Sequence, residues 1–187
     1  MALYVTTVSS PFGPVRLLWR RDGDAPCIAR VLLPSDPFTP DGAERSHPAV
    51  DALAGLLGAY LRGKVIDLPL DLVDLDACSP FQQRVLLAEY AIPRGAVSTY
   101  GLVARHLGQP GAARAVGRAL ATNPFALLIP CHRAVRGDGS LGGYRGGLPM
   151  KRALLEMEGI PFGADGRVQS PFFYDVRTPT QADRSDE

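Results

Sequence analysis

The sequence predicts an α+β fold: a small N-terminal α/β unit with antiparallel strands, followed by a mainly helical C-terminal unit containing a helix-turn-helix. Three observations predict it. Residues 1–33 alternate short runs of β-branched, aromatic and leucine side chains with turn signals. From Pro80 onward, capping residues and glycine stops recur at the spacing of short helices. Charge divides along the same line, because residues 1–78 hold seven Lys/Arg and ten Asp/Glu while residues 79–158 hold ten and four.

Residues 2–8, 15–19 and 27–33 read as meandering strands, separated by turn-forming residues 9–14 and 21–26. Ser46 before Pro48 reads as the start of a helix whose Val50, Leu53, Leu57, Tyr60 and Leu61 recur at helical spacing, and Gly63 ends it. Residues 65–75 read as alternating or extended. This N-terminal α+β domain, residues 1–75, shows no convergent polar cluster. The boundary falls at residues 74–79.

Ser79-Pro80-Phe81-Gln82 combines an N-cap serine, a proline at the first helical position and a glutamine at the third, which is a capping-box start. That helix should run to about Tyr90 and break at Ile92-Pro93-Arg94-Gly95. Ser98 is expected to cap a second helix that stops at Gly108, and a third should cover residues 111–121. Two short helices joined by a glycine-containing turn make a helix-turn-helix. In the third, Ala113, Gly117 and Ala121 form a stripe without bulk, along which a backbone or groove wall can come close. Residues 126–129 read as a buried strand. A turn is expected at residues 137–140, a glycine-rich loop at 142–147, and a last helix from Pro149 to Glu158-Gly159. The loop lacks the Gly-Lys-Ser/Thr of a phosphate cradle. Residues 161–187 form a C-terminal extension expected to be partly disordered.

At 187 residues the chain can bury a core without staples. Its three cysteines, Cys27, Cys78 and Cys131, show no CxxC spacing, so neither a disulfide framework nor a metal site is expected. No stretch approaches the roughly 20 apolar residues of a membrane span. A cytoplasmic monomer without a cofactor is the expectation.

The most informative residues are Ile129-Pro130-Cys131-His132-Arg133, which join a sulfur nucleophile, a proton acceptor and a cation. A free thiol has a pKa of about 8.5 and needs a base or positive charge to ionise at neutral pH. Cys-His alone is equally compatible with an inert buried cysteine. The basic C-terminal half is the footprint of nucleic-acid binding.

The ordered stretches from Pro80 to Gly159 resemble the O6-alkylguanine-DNA alkyltransferases, also called methylated-DNA–protein-cysteine methyltransferases. They are Phe81-Gln82-Gln83-Arg84-Val85, Ile92-Pro93 with Gly95, residues 98–101, Gly111-Ala112-Ala113-Arg114-Ala115-Val116-Gly117, Asn123-Pro124, the pentapeptide, residues 142–147 and 151–159. Ser10-Pro11-Phe12-Gly13-Pro14 is similar to the turn opening the family's other domain. The resemblance implies irreversible, single-turnover transfer of an alkyl group from O6-alkylguanine, and possibly from O4-alkylthymine, in double-stranded DNA to Cys131. It implies that His132 accepts the thiol proton through an ordered water and that Glu158 orients His132. Glu158 otherwise reads as a solvated carboxylate at the unfavourable end of a helix. Tyr100 would protonate the leaving guanine, and Asn123 would tie the preceding turn to the cysteine. Ala113, Gly117, Arg118 and Ala121 would meet the DNA, with Arg114 entering the base stack. Ala134, Tyr144, Arg145, Gly146 and Lys151 would form or support the pocket. Ala134 and Arg145 depart from the family's usual valine and small residue, which bears on pocket width. The alternatives are a non-catalytic alkylated-DNA sensor, a transcriptional regulator and a Cys-His hydrolase.

Overall fold

A computed structural model describes residues 2–23, 25–38, 43–169 and 174–175. Strands β1 (Tyr4–Val8), β2 (Val15–Asp22) and β3 (Ala25–Leu32) form the antiparallel meander, with Val5 opposite Leu18 and Leu17 opposite Val31. Val15, Leu17 and Trp19 alternate along β2 and are all buried, the period-two signature of a half-buried strand. A fourth strand that the sequence did not announce, β4 (Ala43–Glu44), pairs in parallel with β1 and gives the order β3-β2-β1-β4.

Helix α1 (Pro48–Leu61) packs on β1. Its cap is His47 rather than Ser46: Ala49 N–H donates to His47 Nδ1 at 3.3 Å, while the Ser46 hydroxyl turns to Asp51. Gly63, at φ +90°, supplies the left-handed residue beyond the helix end. Residues 65–75 do not form a strand. Only Val73 bridges Ile28 beside β3, after which the chain makes a 3₁₀ turn at Leu75–Ala77.

Helix α2 (Pro80–Tyr90) begins as expected, with Gln82 N–H donating to Ser79 Oγ at 3.3 Å. Gln82 does not complete the capping box. Its side-chain amide instead donates to Ala119 O and Thr122 Oγ1, both at 3.0 Å, at the far end of α4 (Ala113–Ala121). A side chain that could have closed a local motif thereby clamps two helices together.

Ser98 belongs to a two-residue strand, β5 (Ser98–Thr99), and the cap of α3 (Tyr100–His106) is Thr99, whose Oγ1 accepts from Leu102 N–H at 3.0 Å. The shift follows from pairing: β5 lies parallel to β6 (Ala134–Val135) and holds Ser98 in a buried ladder. Helices α3 and α4 pack against each other across residues 107–112, with Gly108 at φ +73°.

Residues 126–129 are buried but are not a strand. Leu127 sits at φ +76°, and Ile129 N–H donates to Phe125 O at 2.8 Å, closing a turn. The Ile129 carbonyl accepts from both Asn123 Nδ2 and Cys131 N–H, so it is not left for a sheet partner. Hydrophobicity could report that this segment is inside, but not that its backbone is turning.

Helix α5 (Gly147–Met157) starts two residues before Pro149 and is capped by Glu158 with Gly159 at φ +91°. Residues 160–169 return to the body: Ile160 and Val168 are buried with Val97, Val135 and Leu155. The tail from Arg177 to Glu187 lies outside the described residues. Buried side chains from β1–β3, α1, α2, α4 and the 125–134 segment form one continuous core across both halves of the chain. Among the described residues, no helix is long and apolar enough to cross a membrane.

Candidate active site

The buried polar side chains converge on one turn. Cys131–Arg133 form a single 3₁₀ turn between the 126–129 segment and β6. Around it stand Asn123, Glu158, Lys151 and Glu89, all buried. Such groups are costly inside a protein unless the surroundings satisfy them, so their partners define the site.

His132 is fully buried, and burial lowers its pKa against the opposing pull of Glu158, leaving a neutral imidazole. Its Nε2 lies 3.2 Å from Glu158 Oε1, and an ionised carboxylate only accepts, so Nε2 carries the ring proton. The other nitrogen, Nδ1, is then an unprotonated acceptor, and it makes no hydrogen bond among the described residues. That is the state a proton-accepting histidine requires.

Glu158 is not the solvated end-of-helix charge that the sequence allowed. Burial opposes its ionisation, but His132 and Arg133 outweigh that and hold its carboxyl below the usual carboxylate range. Arg133 donates through Nε to Oε2 at 2.8 Å and through Nη2 to Oε1 at 2.7 Å, a two-pronged charge-assisted pair. Its third prong, Nη1, donates to Ile92 O at 2.6 Å. Arg133 is therefore directed at Glu158 rather than at the thiol.

Tyr60 is a site residue that sequence reasoning missed. Its apolar spacing on α1 marked it as core, yet its hydroxyl donates to Glu158 Oε1 at 2.6 Å and lies 3.2 Å from His132 Nε2. The N-terminal unit, expected to lack polar convergence, thus contributes to the histidine's setting. A tyrosine at the core-facing edge of an amphipathic helix carries a hydroxyl that needs a partner, and that was the available signal.

Cys131 lines a cavity of about 460 Å³, together with Tyr100, Gly117, Leu120, Ala121, Arg136, Gly142, Gly143, Tyr144 and Arg145. Burial pushes the thiol up to about 11. A hydrogen bond from Asn123 works against burial, Glu89 reinforces it, and Lys151 and Arg145 oppose it. Asn123 also accepts from Phe125 N–H at 2.9 Å and donates to Ile129 O at 3.1 Å, so one side chain braces the turn and faces the sulfur.

Of the expected pocket residues, Tyr144 and Arg145 line the cavity, whereas Ala134, Gly146 and Lys151 stand behind it. Lys151 Nζ donates to Ala134 O at 2.6 Å and Gly143 O at 3.3 Å, tying β6 to the glycine loop. A Cβ on Gly146 would come within 2.6 Å of Met150 Sδ and 2.8 Å of Tyr144 Cε1, so glycine is needed for packing there. Gly142 lets the loop cross the Tyr100 hydroxyl, which an added Cβ would approach to 2.7 Å. Arg145 leans onto the sheet, donating to Val31 O at 2.7 Å and standing 3.4 Å from Asp36.

The outer face of α4 is open. Arg114, Arg118 and Ala121 are exposed, Ala113 and Gly117 are half-buried, and Val116 and Leu120 point inward. A Cβ on Gly117 would meet only Tyr100 Cδ1, at an ordinary 3.9 Å. Internal packing therefore does not require glycine at this position. Gly117→Ala should leave the fold intact and raise its stability by up to roughly 1 kcal/mol. If this face contacts DNA, the same variant binds duplex more weakly. Thermal melting and a binding titration on one preparation check both expectations.

A thiol at a cavity wall that burial keeps protonated, followed in the same turn by a neutral histidine that a carboxylate fixes, is the residue set of a protein whose cysteine becomes a nucleophile once a base takes its proton. Residues 80–160 match the family described as 6-O-methylguanine DNA methyltransferase, DNA binding domain. The chain is 39% identical over 163 residues to the methylated-DNA–protein-cysteine methyltransferase of Mycobacterium tuberculosis, covering 83% of this chain and 92% of that protein. It is 36% identical over 150 residues to the protein of the same name from Methanothermobacter thermautotrophicus, covering 80% and 82%. The crystal structure of Mycobacterium tuberculosis OGT in complex with DNA superposes with a TM-score of 0.68 at 36% identity, over 83% of this chain and 93% of that one. The chain belongs to the methylated-DNA–protein-cysteine methyltransferase family.

Proposed function

We propose that this protein repairs alkylated double-stranded DNA by moving the alkyl group of O6-alkylguanine onto Cys131, once per molecule, in the cytoplasm and as a monomer. The observation that carries the reading is the position of Cys131 in a cavity whose rim is the small-residue face of α4. A base flipped from a duplex lying on that face reaches the sulfur without crossing the protein. Flipping costs a few kcal/mol, and Arg114, exposed on α4, would fill the space the base vacates. Arg118 would meet a phosphate, and Ala113, Gly117 and Ala121 would let the groove wall approach.

The chemistry is one displacement at saturated carbon. His132 Nδ1 takes the thiol proton through a water, sulfur attacks, the carbon–oxygen bond breaks, and the guanine accepts a proton, with Tyr100 as its local donor. Tyr100 has its pKa raised chiefly by burial, so it holds its own proton until the guanine needs it. Asn123 steadies the turn, and Glu158 stabilises the imidazolium that forms. Residues 79–160 would carry both DNA binding and chemistry, with residues 1–75 as their support and residues 161–187 as an extension.

The test is a titration with duplex containing O6-methylguanine, followed by intact-protein mass. The expected result is a gain of one methylene per protein, located on the Cys131 peptide, that stops at stoichiometry. Turnover beyond one equivalent would point to a hydrolase, and binding without mass gain to a sensor.

A further inference from the structure

Glu89, in the last turn of α2, is fully buried, and neither of its carboxyl oxygens meets hydrogen-bond geometry with a partner among the described residues. No step described above uses it. Its surroundings belong to the active site: Tyr100 at the start of α3, Cys131 and Arg133 in the 3₁₀ turn, and Lys151 on α5. Arg133 is engaged by Glu158 and Ile92 O, and Lys151 Nζ is engaged by two backbone carbonyls. Glu89 therefore sits beside the reactive turn with no side-chain donor committed to it among the described residues, the Ala134 backbone N–H being the donor that favours its charged form. An isolated buried carboxylate is costly enough to take up a proton instead.

We propose that Glu89 is a positioning residue for Cys131: as a neutral buried acid it leaves the thiol in the field of the Lys151 ammonium, and on ionising it sets a buried negative charge near the sulfur that opposes thiolate formation.

The electrostatics of the cluster support this. Burial raises Glu89 to about 8, against Lys151, Arg133 and the Ala134 backbone N–H. Burial lowers Lys151 to about 8, against Cys131 and Glu89, with Arg136 adding to the lowering. Below that pH the pair is a neutral acid and a cation, and above it an anion and a neutral amine. Thiolate formation is helped by the first arrangement and opposed by the second. His132 also faces Lys151 and, being neutral, leaves the balance unchanged. Reactivity should then stop rising with pH in the range where an ordinary thiol is still gaining thiolate.

The inference concerns the thiol itself, so its test does not depend on DNA repair. Full-length protein and the Glu89→Gln variant are treated with iodoacetamide between about pH 6 and 10, a range spanning the free-thiol pKa, and labelling of the Cys131 peptide is timed. The two proteins should react similarly at neutral pH. Above pH about 8 the wild type should level off or fall while Glu89→Gln continues to rise, becoming several-fold faster. Superimposable profiles would overturn the proposal. A variant that does not fold leaves a second measurement on the wild type: a protonated carboxylic-acid stretch in the infrared at neutral pH, lost as pH passes through about 8. Absence of that band would overturn the proposal equally. If the iodoacetamide profiles diverge but methylated duplex transfers nothing, the repair reading fails and the role of Glu89 stands.

Discussion

Cys131→Ala should abolish alkyl transfer completely while leaving binding to alkylated duplex nearly unchanged. In the proposed reaction the sulfur forms the new bond, and neither Cys27 nor Cys78 lines the Cys131 cavity. The face proposed to meet DNA belongs to α4, whose position is set by Val116 and Leu120 in the core and by the Gln82 clamp. Removing one buried sulfur should cost about 1 kcal/mol of stability, leaving a folded variant. In the proposed reaction wild-type Cys131 would become a thioether and the protein would be consumed, whereas the alanine variant should remain on the lesion unchanged. Mass spectrometry and a binding titration read the two halves. Any stoichiometric alkylation of Cys131→Ala would remove Cys131 as the acceptor.

Glu158→Gln should damage both chemistry and stability. The carboxylate fixes the Nε2–H tautomer of His132 and, in the proposed reaction, would balance the imidazolium formed when His132 takes the thiol proton. Losing a correctly oriented base costs roughly 10²-fold or more in rate, and the apparent pKa for Cys131 alkylation should rise. The stability effect has the opposite sign to the one suggested by the helix dipole alone. At an exposed helix end, removing the charge would relieve a small penalty. Here the amide leaves the Arg133 guanidinium, with 11% of its side chain exposed, without its counter-charge. Breaking such a pair costs about 3 kcal/mol, or about 6–12 °C in Tm for a chain of this size. Because the folded-state pKa of Glu158 is depressed, its contribution is present above the ordinary carboxylate pKa of about 4.3 and is lost as pH falls toward the folded value. The gap between wild type and variant should therefore be full at neutral pH and close in acid. Normal kinetics with a raised Tm would return Glu158 to the role of a surface charge.

The sequence by itself determined the strand meander, the positions of α2, α4 and α5 to within two residues, and the pentapeptide with the ordered motifs around it. These features are local. Alternation, helical spacing, proline and glycine each act within a few residues, so a linear reading recovers them. Ser79 capped α2 as read because its partner, Gln82 N–H, is three residues away.

Tertiary structure decided whatever depends on a partner distant in sequence. The cap moved from Ser98 to Thr99 because β6, 36 residues later, pairs with Ser98. Residues 126–129 turn rather than extend because Asn123 and Cys131 both claim the Ile129 carbonyl. Tyr60 entered the active site because α1 packs where Glu158, 98 residues away, can accept from it. Glu89 reads along α2 as an ordinary helix-forming glutamate, and only the packing of α3, α5 and the reactive turn buries it beside Cys131. Hydrophobic pattern sets which face of an element goes inside, but a buried polar group acquires its chemistry from the partners that the completed fold assembles around it.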